Sequence, residues 1–474
     1  MRRVWLYRKL FIYPFAIICM LDSDAPHSKT IFGWKISNAR ESVGKGNLCI
    51  PSVQTDIQLC LDSDILSRHM LVLGGVGMGK TNFIFGLFDK IKQNLGKDDV
   101  VIVFDTKGDY IKEFFQEGDA YISNREMPYG GRKFWNIFSD ILFRSTETSQ
   151  EEVESVDVND IIVELVKTMF DEYSAKTRDF FFPAAARDLT SAVIKALIRR
   201  ADPSELDNRL IRHYLYEDMS ELESMLEAYP DLKGALQYVS NRESNQTQGV
   251  KSFIKLAIAE IFSGTFSKNG DFSIREFVKK RGGKTLFIEY DPATSAFLTP
   301  TYRMLFDLAI KEALIREELP GSVYFIIDEF ALLPRLYYIQ SGVNFGRSYG
   351  LKFIVGAQSM QQVNESYGNS NEGGSSFSGN SLLAGFSTLI SFRVFDRASM
   401  DFLEDRFGSN IKLITYMNKR GGGGIETSVH ESKVIEDRNI YMLKRGESII
   451  CLPNTSPIRF KFQKYESRRK SLQS

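Results

Sequence analysis

Little in this chain of 474 residues points to metal or disulfide chemistry. It has four cysteines, Cys19, Cys49, Cys60 and Cys451, with no Cys-x-x-Cys spacing, and four histidines, His27, His69, His213 and His430, that form no cluster. Neither a zinc site nor a disulfide framework is expected, and this cysteine usage suits a reducing cytosol. An excess of one charge is also lacking: 60 Lys and Arg balance 60 Asp and Glu. No global field therefore attracts a polyanion, and any nucleic-acid site must be local. Long apolar runs are missing too. The run Leu10 to Met20 has 11 residues and contains Pro14, against about 20 for a membrane-spanning helix. Behind Arg2, Arg3, Arg8 and Lys9, it is expected to be a strand or core segment, or an interfacial or remnant anchor, rather than a true span.

What is present is the composition of a folded protein: 43% hydrophobic, 25% charged, 35 Gly and 13 Pro. The length exceeds one ordinary core and suggests two or three packed units. A short apolar run at residues 68–74 leads through glycines into Thr81 to Ile91, where apolar positions recur at helical spacing. That is strand, loop, helix. Asp99 to Asp105 is a continuous Val/Ile/Phe run, the pattern of a strand buried on both faces of a parallel sheet. From about 155 to 268 only helical patterns occur, at Ile161–Tyr173, Ala184–Arg200, Glu205–Tyr216, Met219–Tyr229 and Val250–Phe262. Strand patterns return at Thr285–Tyr290, Val323–Ile327, Lys352–Val355, Thr388–Phe392 and Ser448–Leu452, with a helix at Pro300–Arg316. The expected fold is α/β with a mainly parallel sheet, interrupted by an all-α insertion. Residues 368–380 and 421–424, rich in Gly, Ser and Asn, are expected to be loops.

Gly74-Gly75-Val76-Gly77-Met78-Gly79-Lys80-Thr81 fits G-x-x-x-x-G-K-[ST] between a strand and a helix. Glycines let the backbone fold into a nest of N–H donors around phosphate oxygens, and the helix that follows points its positive end at the same anion. Lys80 would reach the β and γ phosphates of ATP, and the Thr81 hydroxyl would ligate Mg2+. Val323 to Ile327 is an apolar strand ending in Asp328-Glu329. Asp328 could hold the magnesium shell while Glu329 polarises the attacking water. Gly346-Arg347-Ser348-Tyr349-Gly350 offers Arg347 as an arginine finger, although spacing alone also fits a surface arginine. Gln358, at another strand end, could sense the γ-phosphate or position water, or merely bond to backbone. Asp105-Thr106-Lys107-Gly108-Asp109 closes the second strand as a supporting feature. Basic runs at Lys279-Lys280-Arg281 with Lys284, at Lys419-Arg420 and at Arg468-Arg469-Lys470 could touch phosphates or simply be solvated.

Together these residues resemble the type IV secretion coupling proteins, conjugative DNA-transfer ATPases of the TraG, TraD and TrwB kind within the wider FtsK/HerA group. The resemblance runs from about residue 66 to 460. It rests also on Phe104-Asp105-Thr106-Lys107-Gly108-Asp109, Phe134-Trp135-Asn136-Ile137-Phe138 and Phe181-Phe182-Pro183-Ala184-Ala185-Ala186-Arg187-Asp188-Leu189. It implies a RecA-like P-loop NTPase fold with an N-terminal segment at 1–65, a nucleotide-binding domain in two parts at 66–150 and 271–474, and an all-α insertion at 151–270. It implies a homo-hexamer in which Arg347 acts on the neighbouring subunit's ATP and Gln358 senses the γ-phosphate. It further implies partners, a single-stranded DNA and relaxase complex and the channel proteins of a type IV secretion system, at the cytoplasmic membrane. The family usually begins with two membrane-spanning helices, whereas about 65 residues precede the nucleotide-binding part here. The expected location is therefore cytoplasmic, peripheral to or recruited to the membrane. Two other functions fit the same motifs: a HerA-like double-strand DNA translocase, which the helical insertion disfavours, and an ATP-gated protein-recruiting scaffold, which would not need Glu329.

Overall fold

The computed structural model describes residues 27–143, 156–177, 179–241, 243–315, 320–333, 336–367, 379–418 and 424–467. The apolar run at Leu10–Met20, the basic runs at Lys419-Arg420 and Arg468-Arg469-Lys470, and most of the two Gly-rich stretches lie outside them.

Its centre is a ten-stranded sheet. In chain order the strands are β1 (Ser37–Asn38), β2 (Met70–Leu73), β3 (Val100–Asp105), β4 (Ala120–Ile122), β5 (Lys284–Glu289), β6 (Val323–Ile327), β7 (Leu351–Ala357), β8 (Thr388–Ser391), β9 (Glu447–Cys451) and β10 (Ile458–Lys461). Their spatial order is β1-β10-β9-β8-β2-β7-β6-β3-β5-β4. Pairing is parallel throughout except where β9 meets β8 and β10. The central strands β2, β3, β6, β7 and β8 are buried at every position and mostly apolar, because both faces are covered. Met70 and Val72 enter one core while Leu71 and Leu73 enter the other, so successive side chains of one strand serve opposite faces.

Helix α1 (Lys80–Gln93) covers the first face with Phe83, Ile84, Leu87 and Phe88. The second face is covered by α2 (Val156–Lys176), α3 (Phe181–Arg200), α4 (Asn245–Ile261) and α5 (Thr299–Ala313), whose apolar residues share one core with the sheet. Among the described residues no strand lies between Ile122 and Lys284. The expected helix at Glu205–Tyr216 is broken. Asp207 caps a new start by accepting from Leu210 N at 3.0 Å, and the helix Asn208–Arg212 then widens into a π-turn at His213–Glu217. Asn136, ahead of the helical segment, ties down its middle and its far end, because its amide donates to Leu206 O at 2.7 Å and Gly270 O at 3.0 Å.

Three further expectations change. Cys49 and Cys60 form a disulfide, because the antiparallel pair Leu48–Pro51 and Gln58–Leu61 sets them directly opposite each other. Two strands of four residues gave too short a pattern to announce that register. Gly424 opens the strand Gly424–Lys433, which pairs with Ser409–Asn418 and, through it, with His27–Phe32. Gly379 and Asn380 open the helix Gly379–Ala384 rather than ending a loop. Among the described residues no helix is long and apolar enough to cross a membrane.

Candidate nucleotide-binding site

The site lies where the parallel strands end, as is general for open α/β sheets. After β2 the chain turns through Gly74–Gly79 into α1. Gly79 takes φ +122°, a conformation closed to other residues without strain, and immediately precedes the first helical residue. A Cβ at Gly74 would stand 2.7 Å from Phe392 Cβ, so the loop passes too close to the strand beside it for any side chain.

Lys80 is buried and points across to β6. Its Nζ donates to the Asp328 carbonyl at 2.5 Å and to Asp328 Oδ1 at 2.7 Å, and stands 3.8 Å from Glu329 Oε2. The Thr81 hydroxyl donates to Asp328 Oδ2 at 2.8 Å. Gln358, one residue past β7, donates its amide to the Glu329 carboxylate. Burial raises the pKa of Glu329, while Lys80 and Gln358 oppose that rise. Five side chains separated by up to 278 positions in the chain (358 − 80) thus meet around one cavity of about 520 Å³. Its lining also takes in Gly75, Val76, Gly77 and Gly79, whereas Gly74 packs on Phe392 and Met78 turns its carbonyl to Gly446 N at 2.9 Å.

Asp105 ends β3 on the rim. It accepts from Asp109 N at 3.1 Å and Ile111 N at 2.9 Å, and burial pushes its pKa up to about 6. It shapes the loop that carries Lys107 into the cavity. The motifs did not single out Arg125, Asp291 or Arg445, which also line it. Arg125 follows β4 and Asp291 follows β5; Arg125 Nε donates to the buried Glu289 at 3.1 Å. Both sit just beyond strand ends: the strand-end rule would have found Asp291 after the expected strand Thr285–Tyr290, whereas Arg125 follows the three-residue β4, too short to show in the pattern.

Arg347 is elsewhere. It lies on the 3₁₀ turn Gly346–Tyr349 before β7, at the opposite end of that strand from Gln358. Seven strand residues put about 20 Å between the two. Its guanidinium donates to Asp64 Oδ1 at 2.7 Å. Of the basic run near 280, Arg281 is spent on the carbonyls of Asp98 and Pro320, and Lys280 pairs with Glu276.

Such a phosphate loop facing an Asp-Glu strand end, on a mainly parallel sheet, defines a RecA-like P-loop NTPase. Residues 57–459 match the family model described as the type IV secretion-system coupling protein DNA-binding domain. The chain therefore belongs to the type IV coupling proteins of conjugative transfer. It is 23% identical over 323 residues to the coupling protein TraD of Escherichia coli strain K12, covering 66% of this chain and 40% of TraD. It is 23% identical over 432 residues to the conjugal transfer protein TraG of Agrobacterium fabrum strain C58, covering 85% of this chain and 61% of TraG. The chain thus spans about two fifths and three fifths of these relatives. In structure it resembles the unbound bacterial conjugative coupling protein TrwBdeltaN70, with a TM-score of 0.69 at 18% identity over 94% of this chain and 95% of that one. TrwB in complex with ADP and Mg2+ gives 0.68 at 17% identity, over 94% and 97%. At these identities the likeness establishes the fold.

Proposed function

We propose that this chain is an ATP-hydrolysing motor that delivers a single-stranded DNA–relaxase complex to a type IV secretion channel. The observation that carries the reading is the convergence of Lys80 and Thr81 on Asp328, with Glu329 and Gln358 beside them. The Thr81 hydroxyl and the Asp328 carboxylate are the hard oxygen donors that suit Mg2+, and phosphate oxygens of ATP would complete its shell. Bound there, Mg2+ would neutralise charge on the phosphates. Lys80 would leave Asp328 to meet the β and γ phosphates. Glu329 would take a proton from the attacking water as the new bond to phosphorus forms and ADP departs. Gln358 holds that carboxylate and would register the γ-phosphate.

Arg347 lies too far from its own cavity to serve there, which supports a trans role at a neighbour's site in a homo-hexamer. In this reading residues 66–150 and 271–474 form the nucleotide-binding domain, 151–270 the helical domain that meets DNA and relaxase, and the ring works at the cytoplasmic face of the membrane. The likeness to TrwB, which has been captured with nucleotide and Mg2+, supports ATP and Mg2+ as ligands.

The test is ATP hydrolysis with and without single-stranded DNA, over a range of protein concentrations, for the native chain and Lys80→Ala. A rate that climbs with DNA and steeply with concentration, and is lost in the variant, is expected. Hydrolysis indifferent to DNA would overturn the motor.

A further inference from the structure

The phosphate cavity has a neighbour. A second cavity of about 680 Å³ shares Thr81 and Asn82 with it and continues away from Glu329 and Gln358. Asn82 and Phe85 are three residues apart on α1 and so present one face, and the C-terminal segment runs along that face. Asn82 holds it with both amide atoms: Nδ2 donates to Gln463 O at 3.0 Å, and Oδ1 accepts from Tyr465 N at 2.7 Å. Glu113 fixes the segment from the other side, accepting from Tyr465 OH at 3.1 Å and from Ser467 Oγ at 2.6 Å. Tyr465 stands edge-on to Phe85, with centroids 5.8 Å apart.

The direction of the bound triphosphate follows from the first cavity. Its γ end belongs where Glu329 and Gln358 stand, so its nucleoside must leave past Thr81 and Asn82. We infer that the second cavity receives the purine nucleoside of the nucleotide, with Tyr465 as the aromatic surface for the base and Glu113 as the group that holds Tyr465 in place. An aromatic wall with a few fixed polar groups is the usual make-up of a small-ligand pocket, and base–aromatic contact adds affinity without a charge. The inference rests on the phosphate-loop reading of Lys80, so its test separates the two ends of the ligand.

The full chain would be titrated with ATP and, separately, with inorganic tripolyphosphate, both with Mg2+. Tyr465→Ala should weaken ATP binding by about tenfold and leave tripolyphosphate binding unchanged, which also shows that the variant is folded. Tyr465→Phe keeps the ring but loses its bond to Glu113, and should bind ATP more tightly than Tyr465→Ala and more weakly than the native chain. Unchanged ATP affinity in Tyr465→Ala, or an equal loss for both ligands, would overturn the inference. Failure of native protein to bind tripolyphosphate would instead bring down the phosphate-loop reading, and the nucleoside site with it.

Discussion

Arg347 is paired with Asp64 at 2.7 Å, at the end of β7 opposite the strand end that leads to Gln358. Both partners are about half exposed, at 55% and 53%, and such a pair contributes at most about 1 kcal/mol. Asp64 therefore holds the guanidinium only loosely, and a neighbour's γ-phosphate could draw it away. Arg347→Ala should bind ATP normally and hydrolyse it about 10³-fold more slowly. Mixing it with Lys80→Ala should restore part of the activity, because mixed rings contain interfaces with an intact Lys80 on one side and an intact Arg347 on the other. Normal turnover by Arg347→Ala alone would end its role as a finger.

Lys80 is the cation against which Asp328 and Glu329 are buried. Removing one partner of a buried pair costs roughly 3–5 kcal/mol, because the other charge stays behind unpaired. Lys80→Ala should therefore lose Mg-ATP binding and also melt at a lower temperature with no nucleotide present. Asp328→Asn in the Lys80→Ala background should give back part of that loss, as coupled partners do. Additive losses in thermal melts would show that the two residues stabilise the fold independently.

How much of this was legible beforehand depended on whether chemistry or tertiary pairing set the residue. The phosphate-loop motif itself restricts the types at Gly79, Lys80 and Thr81, and β6 and β7 are long, mostly apolar strands, so Asp328, Glu329 and Gln358 could be placed at strand ends from sequence. Arg125 could not, because β4 has three residues and its place beside β5 is a long-range pairing. The Cys49–Cys60 bridge stayed hidden for a like reason: 11 positions of separation say nothing until the register of two short strands is known. The break at Asp207 is a capping choice that overrode a continuous helical pattern.

Asp307 on α5 gives the fold a pH dependence away from the site. It is buried, accepts from Tyr338 N at 3.1 Å, and desolvation pushes its pKa up to about 8. It stays protonated in the fold where the unfolded chain has released the proton. Its contribution to stability is present below the unfolded value of 3.8 and is lost as pH rises toward 8. Asp307→Asn keeps an acceptor and cannot ionise, so its melting temperature relative to native should rise from pH 5 to pH 8. A difference between the two proteins that is the same at both pH values would remove Asp307 as the source.

Glu329 should leave its own mark on the rate. In the proposed role of general base it would act only when ionised, and burial raises its pKa above the ordinary carboxylate range. The acid side of the pH–rate profile should accordingly lie above that range, with the rate falling as pH drops through the raised value. Glu329→Gln should still bind ATP while hydrolysis falls by about 10²–10⁴-fold, with that limb absent from what remains. Gln358 offers the finer test, because its amide donates to the ionised carboxylate and so favours it. Gln358→Ala removes that donor, and the acid limb should move to still higher pH while the rate on the alkaline side recovers toward native. A limb that stays where it is would mean that the group titrating in the profile is not Glu329.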